Sequence, residues 1–312
     1  MAVAARPDAE VTVAVLTFRR PERVPRLVAE LVRQADSITP PARVLIIDND
    51  PAGSAAQPAA ASGLDRIDYV REPRPGIAAA RNRALAEAGG SRALVFIDDD
   101  ELPAGDWLGQ LVSCWRAWGC SVVGPVRTEF QIPPPDWVTA SGVFDRRQRS
   151  TGEPVTGAAT NNLLLDLESV RRCGVRFDER LGLVGGEDTL FSHELLSRGA
   201  AIRWCDDAEV IESVPPDRAR ARWVLRRMVR DGTSWSYMEL RLAQTRAARI
   251  RVRASLTLRA LARVGALGGL VWGLVTANPV RWAPAVCRLS GGVGLFLGTL
   301  GYRPAEYRRR PV

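Results

Sequence analysis

Lysine is missing altogether: every one of the 43 basic residues in this 312-residue chain is arginine. Together with heavy use of Ala, Gly and Pro, this reflects a GC-rich genome rather than a mechanism. The five cysteines (Cys114, Cys120, Cys173, Cys205, Cys287) are odd in number and none are spaced CxxC. That argues against a disulfide framework and for buried free thiols in a reducing compartment. No GxGxxG follows the first strand, which disfavours a nicotinamide-dependent dehydrogenase. The opening MAVAARPDAEV lacks the apolar core of a signal peptide, so the catalytic part is expected in the cytosol. Internal repeats are absent. Apolar runs are short: residues 264–280 (17) and 289–301 (13) carry no charge, the first at the lower limit for a membrane span and the second below it.

What is present suits a sizeable core. The chain is 46% hydrophobic and 25% charged, enough for one large domain plus an appendage, or for two domains. Its net charge of +8 is uneven. Residues 1–217 sum to −8, residues 218–263 to +11 and residues 264–312 to +5. So basic a rear could serve nucleic acid, but the apolar sequence beside it favours an anionic membrane face. The domain boundary is expected near Pro215-Pro216, giving 1–214 and 215–312.

Along the front, Val11–Thr17, Arg43–Asp48, Ile67–Val70 and Ala93–Ile97 are apolar runs bounded by turn residues, and each predicts a buried strand. Val24, Leu27, Val28, Leu31 and Val32 recur at helical spacing after Pro21, and an Ala-rich helix is predicted over Ile77–Ala88. The order β-α-β-β-α-β-α gives an α/β fold with a Rossmann-like, mostly parallel sheet layered between helices. Further strands are predicted at Cys120–Val126, Thr160–Leu165, Ala201–Cys205 and Ala208–Ile211. Arg127–Thr156, polar and Pro-rich, is expected to be a long loop over the site.

The Ala93 strand runs straight into Asp98, Asp99, Asp100 and Glu101. A sheet of this kind binds ligands beyond the carboxyl ends of its strands. Four acids in a row there repel one another unless a cation sits among them, and Mg2+ prefers a few carboxylates plus substrate phosphates. A solvated acidic turn is the alternative for this stretch alone.

Taken in order, VTVAVLTFRRPERV, LIIDND, PGIAAARNRAL, FIDDDELP and GAATNNLLLDLESVRRCGVRFDERLGLVGGEDTLFSHELLSRG resemble the family-2 glycosyltransferases, which share the GT-A fold. LTFRRPE and IDND look like the exopolysaccharide branch of the succinoglycan type. The resemblance covers about residues 11–232. It implies an inverting transfer of a sugar from a nucleotide diphospho-sugar, expected to be a UDP-sugar, to a hydroxyl of a saccharide or lipid-linked acceptor. It also implies a role in polysaccharide synthesis. Thr17, Arg19, Asp48, Asn49, Arg81, Asp98 and Asp99 would bind the nucleotide-sugar. Asp98 and Asp100 would hold Mg2+ or Mn2+, with FIDDDELP as the DxD motif.

Asp188 is the expected base, with Glu187 beside it, because an acceptor hydroxyl needs a carboxylate to take its proton. A helix cap without chemistry is the alternative for this pair. Two departures from the family stand out. Asn49 replaces a second acid, although an amide can still bond an imide edge. Where relatives carry a metal-binding His after the last short strand, this chain has Glu212, a candidate ligand; its one histidine, His193, lies within a helix. Trp137 is the candidate acceptor contact, since loops carry function on a rigid scaffold.

The rear is expected to form an Arg-rich helix and then an apolar hairpin, flanked by arginines, on the cytosolic face of the membrane. A buried helical pair or a homodimer interface would fit the same pattern. Other functions considered are a nucleotide-sugar-binding protein without turnover and a nucleic-acid-binding protein. The second leaves the acid cluster and apolar tail unexplained.

Overall fold

The computed structural model describes residues 9–61, 67–146 and 148–302. The front builds β1 (Val11–Thr17), α1 (Val24–Ser37), β2 (Arg43–Asp48), α2 (Ala56–Ala61), β3 (Ile67–Arg71), α3 (Ile77–Glu87) and β4 (Ala93–Asp98). Next come β5 (Glu101–Pro103), α4 (Trp107–Trp118), β6 (Ser121–Val123), β7 (Val126–Phe130) and α5 (Asp136–Ser141). β8 (Asn162–Asp166), α6 (Leu167–Cys173), α7 (Glu187–Ser197), β9 (Ile202–Trp204) and β10 (Val210–Val214) complete the α/β part. The rear is helical: α8 (Ala221–Leu242), α9 (Arg246–Ala262), α10 (Ala266–Val275) and α11 (Pro279–Thr299).

Seven strands form one sheet in the order β3-β2-β1-β4-β8-β6-β9. Its first four strands are parallel, β8 runs against both β4 and β6, and β6 and β9 are again parallel. The expected mostly parallel sheet between helices is what forms. Side chains alternate across the strands. Val13, Val15, Val44, Ile46, Val95 and Ile97 pack on one face with Leu27, Leu31, Leu108 and Leu111. Ala14, Leu16, Leu45, Ile47, Leu94 and Phe96 pack on the other with Ala80, Ala84, Phe177 and Phe191. Both faces are buried, so these strands carry no polar alternation.

Register fixes where the loops lie. Thr17 pairs with Asp48 across β1 and β2, and Leu16 pairs with Asp98 across β1 and β4. The carboxyl ends of three neighbouring strands therefore finish level, and the loops after them share one edge of the sheet.

Two local expectations change. Cys120–Val126 is not one strand, because Gly124-Pro125 interrupts it; Gly124 lies so close to the chain that an added Cβ would meet the Ala208 carbonyl at 2.0 Å. Nor is Arg127–Thr156 one irregular loop. It contains most of β7 and all of α5, where the Phe130 and Phe144 rings meet edge to face at 5.1 Å and Val138 is buried.

The chain divides into two compact units: Met1–Arg127, Arg146–Gly182 and Glu187–Glu212 in the first, Thr128–Asp145, Leu183–Gly186 and Ser213–Val312 in the second. They interleave in sequence, and β7 and β10 each run from one into the other. In the second unit α11 lies along α8 through a seam of small residues. A Cβ on Gly294 would stand 2.1 Å from the Val229 carbonyl oxygen, and one on Gly232 would stand 2.6 Å from that of Gly291. The second apolar run, residues 289–301, is thus largely spent on packing inside this unit. The first is not: Leu267, Val271, Trp272, Leu274 and Val275 of α10 are exposed. With the 3-10 turn Arg263–Gly265 between them, α9 and α10 make a continuous helical stretch of 30 residues, Arg246–Val275, long and apolar enough to cross a membrane by length and composition.

Candidate active site

Asp98 ends β4, and the chain bends at Asp99-Asp100 before Glu101 opens β5. The bend gives the four acids different surroundings. Asp99 is buried and accepts from Thr17 Oγ1 at 3.0 Å and from Arg20 Nη1 at 2.7 Å. Asp100 faces Arg23 at 3.4 Å and Arg20 at 3.6 Å. Glu101 accepts from Asn161 Nδ2 at 2.5 Å and lies opposite Glu212 in the β5–β10 register. Asp98 is the open one, with 35% of its side chain exposed against 6% for Asp99 and 11% for Asp100.

Crowding shows in the proton affinities. Although Asp98 is the most open of the four, the protein packed around it strips enough water from its carboxyl to push it up to about 7; Arg81 pulls it down, and Asp100, Asp99 and Asp188 push it further up. Burial, then Asp98 and Asp100, hold Glu101 well above the ordinary carboxylate range. Asp99 is raised by burial although Arg20 opposes it.

Arg81 joins this cluster to α7. It sits on α3, whose start is fixed by Gly76 at φ 109°. An added Cβ there would meet the Gly182 backbone at 2.9 Å, and the Ile77 amide donates to the Gly182 carbonyl at 3.1 Å. Only glycine allows this approach. The buried Arg81 guanidinium donates to Glu187 Oε1, lies 3.9 Å from Asp98 and sits over the Phe177 ring. Asn82, next on the helix, ties α3 to the Phe177 backbone through both amide atoms.

Glu187 is therefore not a free carboxylate. It is buried, Arg81 holds one oxygen, and the other has no partner among the described residues. Burial lifts its carboxyl to about 7, with Arg81 opposing and Asp188 adding to the rise. Asp188 is partly exposed and accepts from the Thr189 amide at 2.6 Å. Of the two, Asp188 has the more open carboxylate.

The β2 end is occupied by the chain itself. Asp48 Oδ1 accepts from the Asp50 amide at 2.9 Å; Oδ2 accepts from the Ala55 amide at 2.8 Å and the Tyr69 hydroxyl at 2.9 Å. Asn49 donates to the Glu72 and Arg74 carbonyls at 2.9 and 2.7 Å and accepts from the Gly76 amide at 3.1 Å. Asn in place of an acid thus supplies a donor that fastens the Glu72–Gly76 loop. Arg19 adopts φ 54° and pairs with Asp50 at 3.5 Å, while its neighbours Arg20 and Arg23 reach the acids. Nothing in FRRPER distinguishes the three arginines; the turn that selects among them forms only in the fold.

Among the described residues no group of three or more His, Cys, Asp or Glu side chains is arranged to hold a metal ion unaided. Glu212 does not join Asp98 and Asp100 as a ready set, because Arg146 takes its Oε2 at 2.6 Å. Asp98 and Asp100, two residues apart at a bend, still fit a hard divalent cation that draws its other oxygens from phosphates and water. His193 stands against Gly157, where an added Cβ would meet its Nε2 at 2.8 Å. Trp137 belongs to α5 in the second unit, and one ring face stacks on Trp282 at 6.2 Å. Gly186 likewise serves packing within that unit: a Cβ there would meet Ser234 Cβ at 2.6 Å. Arg20, Arg23, Arg146 and Asn161, each paired or hydrogen-bonded with one of the acids, are the functional candidates that sequence reasoning passed over.

Comparison with known proteins bears on the family and the fold. Residues 12–174 match the profile of Glycosyl transferase family 2; Glu187 and Asp188 lie beyond the matched segment. The succinoglycan biosynthesis protein ExoM of Rhizobium meliloti (strain 1021) is 36% identical, over 71% of this chain and 72% of its own length. A crystal structure of S. aureus TarS 1-349 in complex with UDP-GlcNAc superposes with a TM-score of 0.55 at 13% identity, covering 89% of this chain and 90% of that one. A structure of GalNAc-T7 with UDP, GalNAc and Mn2+ gives 0.53 at 13% identity over 78% of this chain, which spans about half (54%) of that protein. At such identities the two structures establish the fold alone. With the family profile and the ExoM relationship, they identify the chain as a glycosyltransferase of family 2, built on the GT-A fold and related to exopolysaccharide biosynthesis.

Proposed function

We propose that this enzyme moves a sugar, with inversion, from a UDP-sugar to a hydroxyl of a saccharide or lipid-linked acceptor in polysaccharide synthesis. The observation that carries the reading is the convergence of Asp98, Arg81, Glu187 and Asp188, whose charges act on one another beyond the level ends of β1, β2 and β4. The solved neighbours hold UDP or UDP-GlcNAc, which supports a uridine donor.

Asp98 and Asp100 would hold Mg2+ or Mn2+; when bound, such a cation offsets the negative charge that develops on the departing diphosphate. Arg20 and Arg23 are positioned to pair with phosphate oxygens. Asp188 takes the acceptor proton as the hydroxyl oxygen bonds to the anomeric carbon. The bond from that carbon to the diphosphate breaks, and its electron pair leaves with UDP. Attack opposite the leaving group inverts the centre. Arg81 and Glu187 hold the start of α7, and so Asp188, against the acid cluster. Thr17, Arg19, Asp48 and Asn49 shape the nucleotide pocket through the contacts described above.

The exposed apolar side of α10 seats the enzyme on the cytosolic membrane leaflet. This suits a lipid-linked acceptor and gives the arginine excess of the rear an anionic partner.

Binding of UDP-, GDP- and dTDP-sugars with and without Mn2+ or Mg2+, to wild type and Asp100→Ala, tests the donor site. One donor bound with metal and lost in the variant is expected; no binding of any donor would overturn the reading. Asp188→Asn should abolish transfer while donor affinity is retained.

A further inference from the structure

The five cysteines show no CxxC spacing, yet the fold brings two of them together across 91 residues. Cys114 lies on α4 beside the buried Trp115, and Cys205 directly follows β9. Their Sγ atoms stand 3.2 Å apart. Cys205 Sγ also reaches the Gln110 carbonyl, one helical turn earlier on α4, at 3.8 Å. Cys205 is enclosed in the core, whereas Cys114 is partly open to solvent. Among the described residues no other two sulfurs are in hydrogen-bonding contact. Both sides of the pair are held in place. The Cys205 amide donates to the Val123 carbonyl at 2.9 Å. The turn after it ends at Ala208, whose carbonyl accepts from Asn162 Nδ2 at 2.7 Å. From the other side, Trp107 Nε1 of α4 donates to Asn162 Oδ1 at 2.8 Å. One buried side chain thus fastens both elements that carry the thiols. To reach ordinary bonding length the sulfurs need to approach by only about 1.2 Å.

We propose that Cys114 and Cys205 are an oxidisable dithiol, which hydrogen peroxide closes to a disulfide that fastens α4 to the turn between β9 and β10. Burial, with the Cys114 contact adding to it, pushes the Cys205 thiol up to about 12. Cys205 therefore stays protonated, and the accessible Cys114 is the sulfur that an oxidant meets first. As its thiolate, Cys114 attacks one peroxide oxygen; the O–O bond breaks, water leaves, and Cys114 becomes a sulfenic acid. The Cys205 sulfur then attacks that of Cys114. The S–O bond breaks, and the departing hydroxide takes the Cys205 proton to leave as a second water. Two thiols lose two electrons and two protons, and one peroxide is reduced to two waters. The closed form clamps the scaffold beneath the acid cluster, because Asn161, next to Asn162, holds Glu101 at 2.5 Å. The device is independent of the donor reading and holds whatever sugar is transferred.

The test treats the folded full chain with a small excess of hydrogen peroxide, quenches it, and counts thiols after denaturation with a chromogenic disulfide reagent. Titratable thiols should fall from five to three, and peptide mass mapping should find Cys114 joined to Cys205 with the loss of two hydrogens. Dithiothreitol should restore all five. The oxidised chain should unfold at higher urea than the reduced one, since the bond constrains the unfolded chain. Cys114→Ser should keep its four remaining thiols under the same treatment, and Cys120→Ser should still lose two. The peptide map of the wild type decides the matter even where a variant folds poorly. A disulfide joining any other pair, or no disulfide, would overturn the proposal. So would accumulation of a sulfinic acid on Cys114 in place of the bond, or an oxidised chain no more stable than the reduced one.

Discussion

Arg81→Gln removes the cation that contacts both Glu187 and Asp98. Both members of the Arg81–Glu187 pair are about 95% buried, so screening by water is slight. Breaking one side of a buried ion pair costs about 3–5 kcal/mol, because the remaining charge is left uncompensated. Glu187 can escape that cost by taking a proton, and its carboxyl is already raised to about 7. In the unfolded chain it titrates near 4.5. The native state therefore binds this proton more tightly, and the group's contribution to stability falls as pH rises from about 4.5 to about 7. Without Arg81 the native carboxyl rises further and the loss extends to higher pH. Urea unfolding of the variant should show most of the penalty at pH 8 and clearly less at pH 5.5. Arg81→Gln/Glu187→Gln should recover part of the stability at pH 8, the signature of a coupled pair. Equal penalties at both pH values, with additive single effects, would refute the account.

Three further outcomes are expected. Because Asp98 is raised to about 7, and only its carboxylate can ligate a cation, Mn2+-supported donor binding by titration calorimetry should strengthen from pH 6 to pH 8. Gly294→Ala places a Cβ 2.1 Å from the Val229 carbonyl; overpacking of this kind costs about 1–3 kcal/mol or more, measurable as a lowered unfolding midpoint, whereas exposed Gly268→Ala should not destabilise. Leu267→Glu/Trp272→Glu, on the exposed side of α10, should reduce co-sedimentation with anionic vesicles while leaving soluble donor binding intact.

The sheet was legible because both its faces are buried: runs such as VTVAVLT and ALVFID leave little else to become. The acid cluster was legible because a strand so buried must deliver its last residues to the sheet edge. Partnerships between residues far apart in sequence, 79 for Arg20–Asp99 and 106 for Arg81–Glu187, were not. That Arg20 and Arg23 rather than Arg19 meet the acids depends on a left-handed turn at Arg19, and that Glu187 pairs with Arg81 depends on how closely Gly76 approaches Gly182. Asn49 reads in the sequence as the replacement of an acid, with a donor and an acceptor free for a base; in the fold its donor group fastens the neighbouring loop. In the tail, composition could not separate the two apolar runs. The glycines at 291, 294 and 298 that dilute hydropathy also let α11 approach α8, so the run that looks merely shorter is the one that is buried.

The bend at Asp99-Asp100 holds two carboxylates against two arginines before any substrate arrives. On the proposed reading, a diphosphate entering there would compete for Arg20 and Arg23, and whatever hold it gained on them would loosen theirs on Asp100, freeing that oxygen for a cation. Donor and cation then compete for opposite halves of the same ion pairs, so each vacates what the other needs. Such an exchange makes their affinities mutually reinforcing by linkage, without any movement of the sheet beneath. Such a latch would be electrostatic, and each key would ease the entry of the other.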